Sequence, residues 1–368
     1  MDIQNLKLSR SAEFAASCAT TVLVRWVLAV SCVLPMAAYG YSAPSWLYTV
    51  NLPVERQTSD ERQRVASAGL LAVLTRVTGL TSIPRNETVR AALADPSRYY
   101  NEFRFFAETS EGRSEDQLSI TFQRDLVLEL VREARLPVWW TRRPTLLVWA
   151  VIEEQGQRTV LSGDSDHPLR DALLDYAEER GLTLRLPFMD IDDQLMISAS
   201  DVWGNVTNTI EDASARYRPD VVMTLRMRSS LSLDGRRLNG NWSYWFDGQP
   251  VVVRYDAEQF DVVAREGLEP LVNRLVSTYG VPARRVNLWQ LEIGGLAEIG
   301  TYVDLLGYFE GLDFIEGVDV SALDQEVLTV VLKSRAGAEQ LLRLLTAEAR
   351  LVEDTTASAD GVRLVWRG

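Results

Sequence analysis

Val221, Met223, Leu225 and Met227 alternate with Val222, Thr224, Arg226 and Arg228. A period of two is the signature of a pleated strand that buries one face. Two turn pairs follow, Asp234-Gly235 and Asp247-Gly248, both of the kind that accepts the positive φ of a tight hairpin. They divide residues 221–255 into a three-strand antiparallel meander. Such a sheet needs a layer to cover its buried face, and the helical stretch 257–279 supplies one before Gly280-Val281-Pro282 ends it.

The same punctuation organises the rest of the chain. In the first segment, 46–53 reads as a strand, and Thr58-Ser59-Asp60-Glu61 is a capping box that opens a helix. Val65, Ala68, Gly69, Ala72, Val73 and Arg76 mark one face of that helix, only the last of them polar, and Gly79 is its stop. A short helix from Asn86, a strand pair at 103–108 and 118–122, and a helix over 125–135 complete the segment. Arg142-Arg143-Pro144 reads as a junction. Beyond it come a β-rich run at 145–153, a polar loop at 154–166, a helix over 168–180, a strand over 182–188, and a helical stretch carrying Ile210, Ala213 and Tyr217.

The last segment reads as strand 288–293, helix 297–306, strands 315–320 and 326–332, helix 336–350 and strand 362–366. This is the βαββαβ order of a ferredoxin-like module. The fold class expected is therefore α+β, built as several small modules with domains at 45–140, 144–282 and 286–368.

Residues 26–38 follow Arg25 as an apolar run and lead to small residues at Ala38 and Gly40. That is the layout of a secretory leader over 1–40, too short to cross a bilayer as a helix. Ala29-Val30-Ser31-Cys32 partly resembles a lipidation site but lacks the usual Leu. Export to the periplasm is the expectation, with inner-membrane anchoring through an uncleaved or lipidated leader as the alternative. Both cysteines, Cys18 and Cys32, fall in the leader. The remainder is left without disulfides, cysteine zinc sites or cysteine nucleophiles. Net charge is −13, and this acidic balance gives no footprint for nucleic acid or anionic lipid. About 330 residues exceed what one core supports, so two or three domains are expected.

Few residues invite chemistry. His167 is the only histidine, so a serine hydrolase would have to use it. No Gly-x-Ser-x-Gly elbow accompanies it, and the simpler reading is a loop residue ahead of a helix capped by Ser165 or Asp166. Asp190, Asp192 and Asp193 sit past the carboxyl end of a predicted strand, where ligands of open sheets bind. With Asp164 and Asp166 they could gather on Mg²⁺ or Ca²⁺, or they could serve as helix caps. Trp242, Tyr244 and Phe246 share one face of the meander's middle strand, with Trp245 on the other. They form either an aromatic platform for glycan or peptide, or the contact under helix 257–279. No phosphate loop, dinucleotide fingerprint, zinc motif or heptad repeat occurs, so no cofactor is expected.

Several landmarks stand out in combination: Tyr-Thr-Val-Asn-Leu-Pro-Val through Leu-Thr-Arg-Val-Thr-Gly (48–79), Arg-Pro-Thr-Leu-Leu-Val-Trp (143–149), Leu-Pro-Phe-Met-Asp-Ile-Asp-Asp (186–193) and Asp-Val-Trp-Gly (201–204). Together they resemble the domain of unknown function 2066 family, exported proteins of Gram-negative bacteria without an assigned activity. That resemblance implies no catalytic residues. The element order of 145–280 is also similar to α/β domains of envelope assembly proteins: the Tol translocation protein, the curli secretion lipoprotein and activators of penicillin-binding proteins.

The reading that follows is a non-enzymatic binding or scaffold protein with an envelope protein as partner. The meander and the loops near Asp190 and Trp203 are the first surfaces to inspect. A His167- or aspartate-dependent hydrolase and a glycan-binding module are the alternatives.

Overall fold

The computed structural model describes residues 44–110, 113–139, 143–232, 235–246, 248–324, 326–354 and 363–368. The leader with Cys18 and Cys32, and the turn residues Asp234 and Asp247, lie outside the described residues. The chain is α+β.

The first module contains β1 (Thr49–Pro53), α1 (Ser59–Thr78), α2 (Glu87–Ala94), β2 (Tyr100–Ser110), β3 (Arg113–Phe122) and α3 (Arg124–Glu133). Its antiparallel sheet has the order β1-β3-β2. The expected strand at 46–53 begins with a 3-10 turn, Ser45–Leu47. Thr58 caps α1 by accepting from the Glu61 N–H, and Gly79 ends it at φ 71°. The buried face of α1 includes Val65, Gly69 and Val73 as expected and is wider than expected, taking in Ala66, Leu70, Leu74 and Val77, whereas Ala68 is exposed. Arg76 is buried with them, on a face where the sequence had already placed it.

The strands of the central sheet are β5 (Thr145–Glu154), β6 (Gln157–Val160), β7 (Thr183–Arg185), β8 (Val221–Ser232), β9 (Gly235–Phe246) and β10 (Gln249–Ala257). Their order is β10-β9-β8-β5-β6, with β7 also pairing with β5. β5 and β8 run parallel, and β8, β9 and β10 form the expected antiparallel meander. β6 occupies what read as a polar loop, because Gln157–Val160 folds back on the end of β5.

One face of this sheet carries α4 (Pro168–Glu179) and α8 (Phe260–Tyr279) over Leu146, Val148, Met223, Leu225 and Trp242. The other face presents Leu147, Trp149 and Val151 to three short helices, α5 (Ile191–Met196), α6 (Ala199–Gly204) and α7 (Thr207–Ser214). Here the Trp149 indole N–H donates to Ser214 Oγ at 2.9 Å.

The last module contains β12 (Asn287–Gly294), α9 (Ile299–Gly311), β13 (Ile315–Asp324), β14 (Val327–Ser334), α10 (Ala338–Thr346), β15 (Leu351–Glu353) and β16 (Arg363–Trp366). It follows the βαββαβ order with one strand more. The short β15 lies where the helix was expected to end, and the last strand turns back to insert between β15 and β12. β16 therefore runs parallel to β12. A two-residue ladder, β4 (Val138–Trp139) against β11 (Gly280–Val281), joins the ends of the first two modules.

α8 packs closely on β9. The Trp242 indole is fully buried and donates to the Val263 carbonyl at 3.0 Å. A Cβ on Gly267 would lie 2.1 Å from the Trp242 ring. Alanine gains about 1 kcal/mol of helix propensity over glycine, but overpacking of this severity costs about 3 kcal/mol, so the clash dominates. Gly267→Ala is therefore expected to lower the urea midpoint, with a net loss of about 2 kcal/mol. An unchanged or raised midpoint would show that Trp242 is not seated against this helix.

Candidate functional site

Each residue singled out in the sequence has a definite place. Asp190 is the N-cap of α5, accepting from the Asp193 N–H at 3.0 Å. Its two oxygens also take a bidentate pair from Arg216, at 2.8 and 2.9 Å. Asp193 is buried. It accepts from the Met189 N–H at 2.9 Å, from Arg216 at 3.0 Å and from the Tyr217 hydroxyl. Asp192 is exposed in the first turn of α5, where a carboxylate opposes the positive end of the helix.

The acidic run is therefore a capping lock with Arg216 and Tyr217 as its partners. Among the described residues no group of three or more metal-ligating side chains gathers. The Arg216 hydrogen bond holds the Asp190 carboxyl down at about 2. Burial, and then the bond to Asp193, raise the Tyr217 hydroxyl to about 12. Neither Arg216 nor Tyr217 could be paired with the aspartates from the sequence, because more than 20 residues separate them and no spacing rule spans that gap.

His167 is itself the N-cap of α4, with Nδ1 accepting from the Leu169 N–H at 3.1 Å. Ser165 instead accepts from the His167 N–H. The ring stands edge-on to Phe260, and its Nε2 lies 3.9 Å from Glu154. Burial, aided by the Arg236 charge, lowers its pKa below the ordinary value. Neither Asp190 nor Asp193 is among its contacts. The ring caps α4 through Nδ1 and stands beside Glu154 through Nε2.

The aromatic trio is covered by α8. Trp242 and Tyr244 are buried and Phe246 is half-buried against the same core, so the platform for a glycan is not presented. Trp203 is half-buried at the end of α6, with the Arg158 guanidinium 4.2 Å and the Arg228 guanidinium 5.9 Å from its ring. Glu153 bridges those two arginines at 2.8 and 2.6 Å, and these hydrogen bonds lower its pKa.

A concave surface lies on the opposite face of the meander. α5, α6 and α7 cover β5 and β8 but leave the β9–β10 half open. There a groove of about 250 Å³ is floored by Val222, Thr224, Ser243, Trp245 and Val252 and walled by Ile210 and Glu211 of α7. Trp245 is 51% and Val252 59% exposed. β10 is an edge strand of this sheet. Asn205, Thr207 and Asp220 add polar groups to the rim. The signal in the sequence was Trp245 itself, an aromatic on the wrong parity of a strand whose other aromatics face the core. Such a groove can hold an apolar side chain and orient it with hydroxyl, amide and carboxylate groups.

Residues 44–140 match the family described as Domain of unknown function (DUF8605). That stretch is the first module alone. The match overturns the resemblance to the domain of unknown function 2066 family. Within those landmarks, Arg76, Arg143 and Gly79 lie at the junction of the first two modules, and Asp190 and Asp193 cap and anchor α5. No curated protein and no solved structure matches the chain.

Because the folded-state pKa of Asp190 lies below the ordinary value of 3.8, its pair with Arg216 stabilises the fold above about pH 3.8. That contribution drains away as pH falls towards 2. Asp190→Asn is expected to be less stable than the native chain at pH 7 and to converge with it near pH 2. Urea midpoints measured across that range test this, and parallel curves for the two proteins would refute it.

Proposed function

We propose that this chain is a non-enzymatic binding or scaffold protein, exported to the periplasm by residues 1–40 and at work in envelope assembly or maintenance. The observation that carries the binding half of this reading is the open β9–β10 face. A soluble domain ordinarily covers a sheet face that bears an aromatic and a valine, and an exposed apolar patch beside a concave wall marks an interaction site. The side chains that invited a catalytic reading are engaged elsewhere: His167 and Asp190 cap helices, and Asp193 holds Tyr217 and Arg216. Export rests on the apolar run at 26–38 and its small-residue exit. Among the described residues no helix is long and apolar enough to cross a membrane.

The test is a photo-crosslinking residue placed at Val252 in intact cells, with the exposed Arg90 of α2 as the control position. The expected outcome is a chain recovered in the periplasmic fraction and a protein adduct specific to position 252. Retention in the cytoplasm would sink the export half of the reading. Identical adducts from both positions would sink the groove.

A further inference from the structure

The groove has a polarity that narrows what fits it. Its lining includes two carboxylates, Glu211 and Asp220, and no basic side chain. Asp220 spends one oxygen on the Thr145 N–H at 2.8 Å. Glu211 is exposed, and no ion-pair partner for it occurs among the described residues. Between these acids lie the exposed ring of Trp245, the side chain of Val252, and Val222 with Ile210. The row beyond reverses the sign. Arg254 pairs with Asn241, and Asn241 with Arg226, so two guanidinium-bearing residues stand next to the Ser243–Val252 row and away from Asp220. The groove is thus acidic at the α7 and hairpin end, apolar in the middle, and bounded by cations at the other end.

Size adds a second limit. About 250 Å³ accommodates one or two large side chains, less than most small-molecule sites enclose. The acidic end repels nucleic acid and anionic lipid headgroups. The same end attracts a cation, and the face of Trp245 adds a cation–π surface for it.

We infer that the groove takes a basic, apolar-anchored segment of a partner protein, with an aliphatic or aromatic side chain over Trp245 and Val252 and a neighbouring Lys or Arg at Glu211 and Asp220. The inference rests on the reading of this groove as a binding site and adds the chemistry of its occupant. Arg254 sets the direction: the cation of the segment lies towards Asp220, and the far end of the segment is neutral or acidic.

The probe is a dye-labelled peptide, Gly-Ser-Lys-Ser-Leu-Ser-Gly, titrated against the full chain by fluorescence anisotropy. Two counterparts carry Glu in place of Lys, or Ser in place of Leu. The Lys–Leu peptide is expected to bind, and both counterparts to bind more weakly. Trp245→Ala is expected to weaken binding about tenfold, the loss of a cation–π and apolar contact of about 1.4 kcal/mol. Glu211→Gln is expected to weaken it about threefold and to blunt the further weakening seen on raising salt from about 50 to about 500 mM. Both positions are exposed and outside the cores, and an unchanged urea midpoint verifies that each variant is folded.

Equal binding of the Glu peptide would overturn the basic preference. Equal binding of the Ser peptide would overturn the apolar anchor. If none of the peptides binds while the adduct at position 252 persists in cells, this inference fails and the groove remains a binding site. If the adduct is absent as well, both readings fall.

Discussion

Three buried guanidinium groups hold the first module against the central one. Arg143 donates to the carbonyls of Arg76 and Gly181 at 2.6 and 3.0 Å and lies 3.7 Å from the centre of the Trp139 ring. Arg180 donates to the carbonyls of Gly79 and Leu80 at 3.0 and 3.1 Å and pairs with Glu269 at 3.2 Å. Arg76 reaches Trp46 and Thr49 carbonyls and Glu178. The carbonyls of Arg76, Gly79 and Leu80 stand at the C-terminal end of α1, where a helix leaves unpaired acceptors and carries partial negative charge. Removing a guanidinium from water costs several kcal/mol, and so does burying an unpaired carbonyl. Placing one against the other cancels much of both costs. The junction therefore exists only when the modules are docked, and it fixes the origin of β5 relative to α1.

The same logic recurs at the other end. Arg124, at the start of α3, pairs with the buried Asp313 through Nε at 3.0 Å and donates to the Gly311 carbonyl at 3.0 Å. Gln340 donates to the Gly280 carbonyl at 2.7 Å. Arginine serves here because its planar fork satisfies two or three acceptors at once without losing its charge. The near-absence of lysine from the chain, with only Lys7 and Lys333 present, fits that use.

What was legible in the sequence was whatever short-range physics dictates. The meander followed from alternation and two turn pairs, α1 from a capping box and a glycine, and the cover over Trp242 from an amphipathic helix of sufficient length. What was not legible depends on distant partners. The final strand was visible as a strand, but nothing local says that it enters between β12 and β15. The 3-10 turn at Ser45–Leu47 and the short α5 and α6 carry too few residues for a period to show. Arg76 was seen as a polar residue on an apolar face, but its purpose needed Glu178, a residue 102 positions away. For the candidate site, the sequence pointed to the acidic run, whose ties to Arg216 and Tyr217 only the fold supplies, and the groove became visible only once the sheet had two faces.

That groove is a consequence of unequal cover. The face carrying Trp242 is spanned by helices of 12 and 20 residues, whereas the opposite face receives helices of six, six and eight. Eight residues of helix extend about 12 Å, and five adjacent strands are about 19 Å across, so the short helices leave the β9–β10 side bare. Their position is set by the lock at Asp190 and Asp193, because Arg216 and Tyr217 follow directly after α7. The Tyr217 hydroxyl accepts from the Phe188 N–H at 2.9 Å, and its ring packs against Trp149. The aspartates thus act on the groove without touching it: they anchor the chain on either side of the wall that presents Ile210 and Glu211. The aspartates that looked like chemistry in the sequence are the fixings of the groove's wall.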